Sequence, residues 1–353
     1  MTTVDPAVRQ ARRVVGLYGD PTVTWSIALG VELRTSVVPD AVATRAAQGW
    51  ESWAHLGMLP KVELVPPDEW SSCRAGFLDT PYGDADPLVR IGLTTDGRRL
   101  LVAAHHGVID GLGMLGLVGR LAGVPITSSA RGIQEGAEPA GFWSRAIGRL
   151  GEALLRPPAR LGPTRRRSPA GGDWVHVSVL PASALGTGQL VAAVTRAGLA
   201  WRGRSRRRTV LSLALSTRPG APQPAPDRAT AYGRIVTCSG SDAESAAALR
   251  ELVPEPAFPE TTVGGVGPAV TKLLGSRLGA TALVSNLGRL SGDGVVGAEL
   301  WPAPSGPAGI AVAAVTAGEL TTVTLRMRRG WFTEAETAEF GDHLARQLAQ
   351  YGS

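Results

Sequence analysis

The sequence predicts an α+β protein of two lobes, each a mixed sheet with helices packed on it. Three observations carry that expectation. The chain has 353 residues, more than one compact core usually encloses. Apolar residues make up 44% and charged residues 19%, the balance of a globular protein rather than a disordered one. Strand-like and helix-like stretches are mixed in both halves without the alternation of a doubly wound sheet. A Pro-, Gly- and Arg-rich stretch divides them. The expected organisation is an N-terminal lobe at 1–155, a linker at 156–172 and a C-terminal lobe at 173–353.

In the first half, residues 5–18 suit a short helix with Arg9, Arg12 and Arg13 on its polar side. Thr22 to Leu33 is rich in β-branched residues and suits a strand. Pro39 opens a helix over 40–55, with Ala41, Val42, Ala46, Trp50 and Trp53 at helical spacing. Val62 to Val65 is a short strand, and 68–86 reads as irregular. Leu88 to Leu93 and Arg99 to Ala104 flank Asp96-Gly97, a turn signal, and form a hairpin. From Gly111 to Ala122 the pattern turns helical and very apolar. Gly141 to Leu155 is an amphipathic helix.

In the second half, Trp174 to Leu180 alternates as a strand and Gly188 to Trp201 reads as a helix. Thr209 to Thr217 is a strong strand ended by Arg218-Pro219. A Pro-rich loop leads to a strand at Tyr232 to Cys238. Ser241 caps a helix that runs to Leu252, and a further helix is expected within 266–278. Ala280 to Val284 is an apolar strand ending in Ser285-Asn286-Leu287-Gly288. Strands at 295–301, 309–316 and 321–328 follow. The last helix, 333–351, opens with Thr333 and Glu336 in a capping box.

Composition narrows the function classes. The net charge is +6, but lysine occurs only at Lys61 and Lys272, and the Arg, Ala and Gly excess has the look of a genome-wide bias. Aromatic residues are not interleaved with the basic ones as on a stacking surface, so nucleic acid is not the expected partner. Cys73 and Cys238 form no CxxC, which leaves no metal framework and suits a reducing cytoplasm. The N-terminus is too polar for a signal peptide. No apolar run approaches the roughly 18 residues of a membrane span.

One stretch concentrates the chemistry: His105-His106-Gly107-Val108-Ile109-Asp110-Gly111, which holds two of the five histidines. It lies where the hairpin's second strand meets the apolar helix, so its side chains sit at the end of a sheet. A neutral imidazole there accepts a proton from a hydroxyl or amine and later returns it. There is no GxSxG elbow, so transfer is expected without a covalent enzyme intermediate. Asp110 is placed to cap the helix or to accept from an arginine. Gly111 is read as the residue that lets the chain turn. A metal would need a third ligand in a fitting pattern, and none is present.

The heptapeptide is a full match to HHxxxDG and resembles the signature of the condensation-domain and CoA-dependent acyltransferase superfamily. The resemblance extends more loosely over most of the chain. Ser216-Thr217-Arg218-Pro219 resembles the strand end whose arginine pairs with the motif aspartate. Ser285-Asn286-Leu287-Gly288 resembles the Ser-Asn-x-Gly segment of the polyketide-associated and wax-ester branches. The resemblance implies two chloramphenicol-acetyltransferase-like lobes around a central tunnel. It implies His106 as general base, His105, Asp110, Gly111 and Arg218 as structural residues at the site, and Ser285 and Asn286 as tunnel-lining or oxyanion residues. It implies no permanently bound cofactor. The co-substrate would be an acyl-CoA or a phosphopantetheinyl carrier protein, and the acceptor an alcohol or amine.

The chain is shorter than usual members. The DFGWG segment of the plant branch and the opening motif of peptide synthetase condensation domains are absent. With no adenylation or carrier segment attached, a free-standing acyltransferase of bacterial secondary-metabolite or lipid biosynthesis is the expected function. The alternative is a non-catalytic condensation-like module that recruits a carrier protein or partner enzyme. A third reading gives the arginines at 156–167 and 202–208 to nucleic acid, or to the phosphates of CoA or an anionic carrier surface.

Overall fold

The computed structural model describes residues 5–16, 23–130, 142–163, 166–181, 185–202, 208–218, 225–255, 279–304 and 308–352. The helix expected within 266–278 and residues 203–207 of the Arg-rich segment at 202–208 lie outside them. The elements up to residue 155 are α1 (Pro6–Gly16), β1 (Ser26–Leu33), α2 (Pro39–Trp50), β2 (Val62–Val65), α3 (Trp70–Asp79), β3 (Val89–Thr94), β4 (Arg99–His105), α4 (Gly111–Ala122), β5 (Thr127–Ser128) and α5 (Phe142–Leu155). The later elements are β6 (Asp173–Pro181), α6 (Thr187–Arg202), β7 (Thr209–Ser216), β8 (Thr230–Thr237), α7 (Asp242–Arg250), β9 (Ala282–Ser291), β10 (Val295–Trp301), β11 (Ile310–Ala317), β12 (Leu320–Arg328) and α8 (Glu334–Leu348).

Among the described residues the strands form two mixed sheets. The first has the order β10-β1-β4-β3-β2, and the second β6-β12-β11-β9-β7-β8 with β5 attached to β9. The expected α+β architecture of two sheet-and-helix lobes is what the chain adopts. The sheets are not sequential, however. Residues 173–353 were expected to form the second lobe, yet β10 from that range lies in the first sheet, antiparallel to β1 with Ala28 opposite Trp301. The period-2 pattern of β10 says that it is a strand, but not which sheet edge it completes.

Alternation explains how the first sheet is covered on both faces. Ile27, Leu29 and Val31 pack with Leu115, Val118 and other residues of α4. Ala28, Leu101, Ala103 and Trp301 face the other way, onto Trp70, Phe77 and Leu78. Those three belong to α3, a helix in the stretch read as irregular. Its apolar positions are too few to mark a stripe among Ser71, Ser72 and Arg74. The helix expected over 40–55 ends at Trp50 and continues as a 3-10 helix, Glu51–Leu56, with Trp53 out of helical geometry. The second core packs α6 and α8 on the inner strands, with Leu190, Val194, Phe340 and Leu344 against Val312 and Leu325.

Arg326 on β12 locks the lobes together. Its side chain is fully buried. It donates to Asp173 Oδ2 (3.0 Å from Nε), to the carbonyl of Ser26 (2.7 Å) and to that of Pro302 (3.1 Å). Ser26 is the β1 partner of His105 in the antiparallel register. A charge from the second sheet thus holds the strand beside the histidine motif, with each guanidinium nitrogen given a partner. No helix among the described residues is long and apolar enough to cross a membrane.

Candidate active site

The hairpin β3–β4 turns at Gly97, whose φ of +70° suits glycine, and β4 ends on His105. The two histidines then diverge. His105 is buried and its Nδ1 accepts the Gly107 N–H at 3.1 Å. The Tyr82 ring meets it edge-on with 5.4 Å between centroids. Burial, then the neighbouring His106 and Arg12, lowers His105 to about 4.

His106 is only partly buried. Its backbone N–H donates to Trp25 O at 2.8 Å. Trp25 has φ +56°, a left-handed conformation that costs a non-glycine residue about 1–2 kcal/mol. This strained turn into β1 aims the carbonyl at the motif. The His106 ring lies with Nδ1 3.2 Å from Ile109 O and Nε2 2.8 Å from the Tyr232 hydroxyl. A carbonyl only accepts, so Nδ1 carries the proton and the Nε2 lone pair accepts from Tyr232. Burial and then the charge of Arg228 lower the imidazole to about 4, against the smaller opposing effects of Ile109 O and Asp110. The ring is therefore neutral near pH 7, with its basic nitrogen on Nε2.

Asp110 is the N-cap of α4: its Oδ1 accepts the Gly113 N–H at 2.8 Å. The same carboxylate accepts Arg218 Nη1 on both oxygens at 2.9 Å, the Ala229 N–H at 2.7 Å and the Thr230 hydroxyl at 2.6 Å. Burial alone would raise this carboxyl. The Thr230 hydroxyl, the Arg218 charge and the Gly113 N–H outweigh it, and the group lies below its ordinary value. The helix cap and the arginine pair, weighed as alternatives from sequence, are both formed. Arg218 also donates to the Asp227 carbonyl at 2.8 Å and to its carboxylate. His55 holds the adjacent Pro226 carbonyl at 2.7 Å. The 225–229 loop of the second half is thereby stitched onto the motif of the first.

Gly111 does not sit at a turn that needs glycine; it is the first residue of α4 with no positive φ. A Cβ there would come 3.3 Å from Leu287 Cδ2, a side-chain tip. At Gly113 a Cβ would stand 2.2 Å from the Asp227 carbonyl oxygen, and backbone cannot yield so easily. We expect Gly113→Ala to cost about 1–3 kcal/mol by overpacking and to push the 225–229 loop off Asp110. Gly111→Ala should cost less than about 1 kcal/mol, because the Leu287 tip can rotate. Urea titration of both variants checks this, and equal costs would contradict it.

Ser285 and Asn286 lie within β9, which runs on through the Ser-Asn-Leu-Gly segment rather than ending before it. Asn286 Nδ2 donates to Leu185 O at 2.8 Å and its Oδ1 accepts the Gly288 N–H at 2.8 Å. Its amide is thus engaged in fixing the strand, whereas Ser285 Oγ has no partner among the described residues. Both line a cavity of about 360 Å³ beside the motif. Its walls include Gly111 and Leu112 from the first lobe and Leu215, Thr230 and Ser285 from the second.

The residues that sequence reasoning missed are Tyr232, Trp25, Arg228 and Gly113. Tyr232 was read only as the start of a strand. Nothing local marks it, since its meaning depends on β8 facing the motif across the lobes. No group of three or more metal-ligating side chains occurs among the described residues.

The neutral histidine pair also predicts how stability depends on pH. Both histidines fall from 6.5 to about 4 on folding. Their folded pKa values are depressed, so their contribution is complete above about pH 6.5 and is lost as pH falls toward 4. Thermal midpoints from about pH 7 down to about 4 should decline with proton uptake on unfolding. His105→Asn keeps an acceptor for Gly107 N–H and should flatten the decline. A slope that the variant leaves unchanged would contradict the assignment.

No family model and no curated protein sequence matches the chain. Solved structures do match it. A doubly substituted form of the starter condensation domain of rhizomide synthetase, in complex with C8-CoA and Leu-SNAC, has a TM-score of 0.62 at 14% identity, over 99% of this chain and 94% of that one. The first condensation domain of the calcium-dependent antibiotic synthetase, in complex with a substrate analogue, has a TM-score of 0.65 at 15% identity, over 99% and 97%. The epimerization domain from the third module of tyrocidine synthetase B has 0.56 at 13%, over 96% and 94%. The chain thus has the two-lobed fold of these condensation and epimerization domains.

Proposed function

We propose that this protein is an acyltransferase that moves an acyl group from a CoA or carrier-protein thioester to an alcohol or amine. The observation that carries the reading is His106: a neutral imidazole with its proton fixed on Nδ1 and a basic Nε2 held between the two lobes. Such a nitrogen removes the proton from the attacking hydroxyl or amine and gives it to the departing sulfur. Asp110 and Arg218 hold the loop in shape and take no proton. Ser285, with an uncommitted hydroxyl at the cavity, is the candidate for contact with substrate, while Asn286 serves as a strand brace. The C8-CoA bound by the rhizomide synthetase domain supports a CoA thioester as the co-substrate, with no resident cofactor required. The reading extends to a role in bacterial natural-product or lipid biosynthesis.

The test is thioester turnover with wild type and His106→Ala, using acyl-CoAs of graded chain length and a panel of alcohols and amines. Free thiol release and product mass are the readouts. Acceptor-dependent product formed equally by both proteins would rule out the general-base assignment.

A further inference from the structure

Tyr232 stands where a general base would meet its substrate. Its hydroxyl is 2.8 Å from His106 Nε2, the nitrogen that must take the acceptor's proton. Either the acceptor displaces the phenol or its proton passes through it. The backbone that carries the phenol is pinned on both sides. Tyr232 pairs with Ala214 on β7, its carbonyl accepts the Glu255 N–H at 2.7 Å, and Gly233 bridges to Pro254. The phenol O–H is spent on Nε2, but a hydroxyl also accepts. That acceptor capacity is unfilled among the described residues. Thr230, two residues earlier and so on the same face of β8, lines the cavity beside the motif; neither Tyr232 nor His106 is among its lining residues.

We infer that Tyr232 is a catalytic residue that relays the acceptor's proton to His106. The inference rests on the acyl-transfer reading above. The acceptor O–H or N–H donates to Tyr232 Oη while Tyr232 Oη–H passes its proton to His106 Nε2. The acceptor's lone pair forms the bond to the acyl carbon, and the carbonyl π pair moves onto oxygen. When the carbonyl re-forms, the C–S bond breaks and its electron pair leaves on sulfur. The imidazolium returns its proton through the phenol to that sulfur. Tyrosine and histidine end as they began, and the products are the ester or amide and the free thiol. Burial, the first cause, raises the phenol above its ordinary value despite the Arg228 charge, so it is protonated and ready to donate near pH 7.

The experiment compares wild type, Tyr232→Phe and His106→Ala with octanoyl-CoA as donor probe and a panel of primary alcohols and amines. Tyr232→Phe is expected to lower kcat by about 10²-fold or more with the acceptor KM and thermal midpoint little changed. Rates in mixed light and heavy water should bow with deuterium fraction in wild type, where more than one proton moves, and become linear in Tyr232→Phe. A wild-type or higher kcat in Tyr232→Phe, with His106→Ala inactive, overturns the relay and leaves the phenol as a cap on the base. Wild type no faster than His106→Ala overturns the acyl-transfer reading and the relay with it. Fluorinated tyrosine at position 232 keeps the ring and covers a poorly folding phenylalanine variant. A relay shifts the pH profile of kcat, and an unshifted profile counts against it.

Discussion

Replacing His106 by alanine is expected to lower kcat/KM by about 10²–10⁴-fold, the usual contribution of a positioned general base, or roughly 3–5 kcal/mol of transition-state stabilisation. The fold should survive the change. The backbone N–H of residue 106 still reaches Trp25 O, and the carboxylate network on Asp110 does not involve the ring. The pH profile offers a check on the same residue. With its imidazole at about 4, kcat/KM should stay level as pH falls through about 6.5 and break only near 4–5, where the free enzyme's base protonates. Arg228 is exposed and its charge is the second cause of that low value. Arg228→Gln should therefore move the break to higher pH. A break at about 6.5 in wild type, or no movement in the variant, would contradict this electrostatic account.

The second large effect is expected at Asp110. Asp110→Ala removes the cap of α4 and leaves mostly enclosed a guanidinium that made half of its hydrogen bonds to this carboxylate. It also strips the Ala229 N–H and the Thr230 hydroxyl of their acceptor. Breaking a buried pair on one side costs about 3–5 kcal/mol, because the remaining charge is left uncompensated. Arg218→Met should cost less, because the carboxylate keeps three other donors. The double variant should recover part of the loss, giving a coupling energy of about 0.5–3 kcal/mol in a double-mutant cycle. Additive costs in chemical denaturation would show that the two groups are not coupled. Activity should fall in all three variants, since the loop between His106 and Asp110 supplies Ile109 O, which fixes the proton of the base on Nδ1.

Much of this was legible in the chain because it is local. The hairpin, the apolar helix after the motif and the helix caps rest on residues within a few positions of one another, whereas the separate roles of His105 and His106 came from the family resemblance. Arg218 was legible because it ends a strong strand in a recognisable segment. Helix α3 was obscured because only Trp70, Phe77 and Leu78 are buried on it, too sparse a stripe for a periodicity argument. Gly111 was given a conformational reason, when the tight approach is made by Gly113 against the Asp227 carbonyl.

By itself the sequence determined the α+β class, the strand-to-helix junction and the chemistry that junction can carry. Those follow from period, capping and side-chain type, which are properties of neighbours along the chain. Only the tertiary structure decided that β10 completes the first sheet, that Arg326 ties β12 to the strand beside His105, and that Tyr232 meets His106 across 126 positions. Such contacts arise because two lobes bury surface against each other, and no local pattern encodes which residues face across that boundary. The proposed base lies in the motif; its partner is set by the packing.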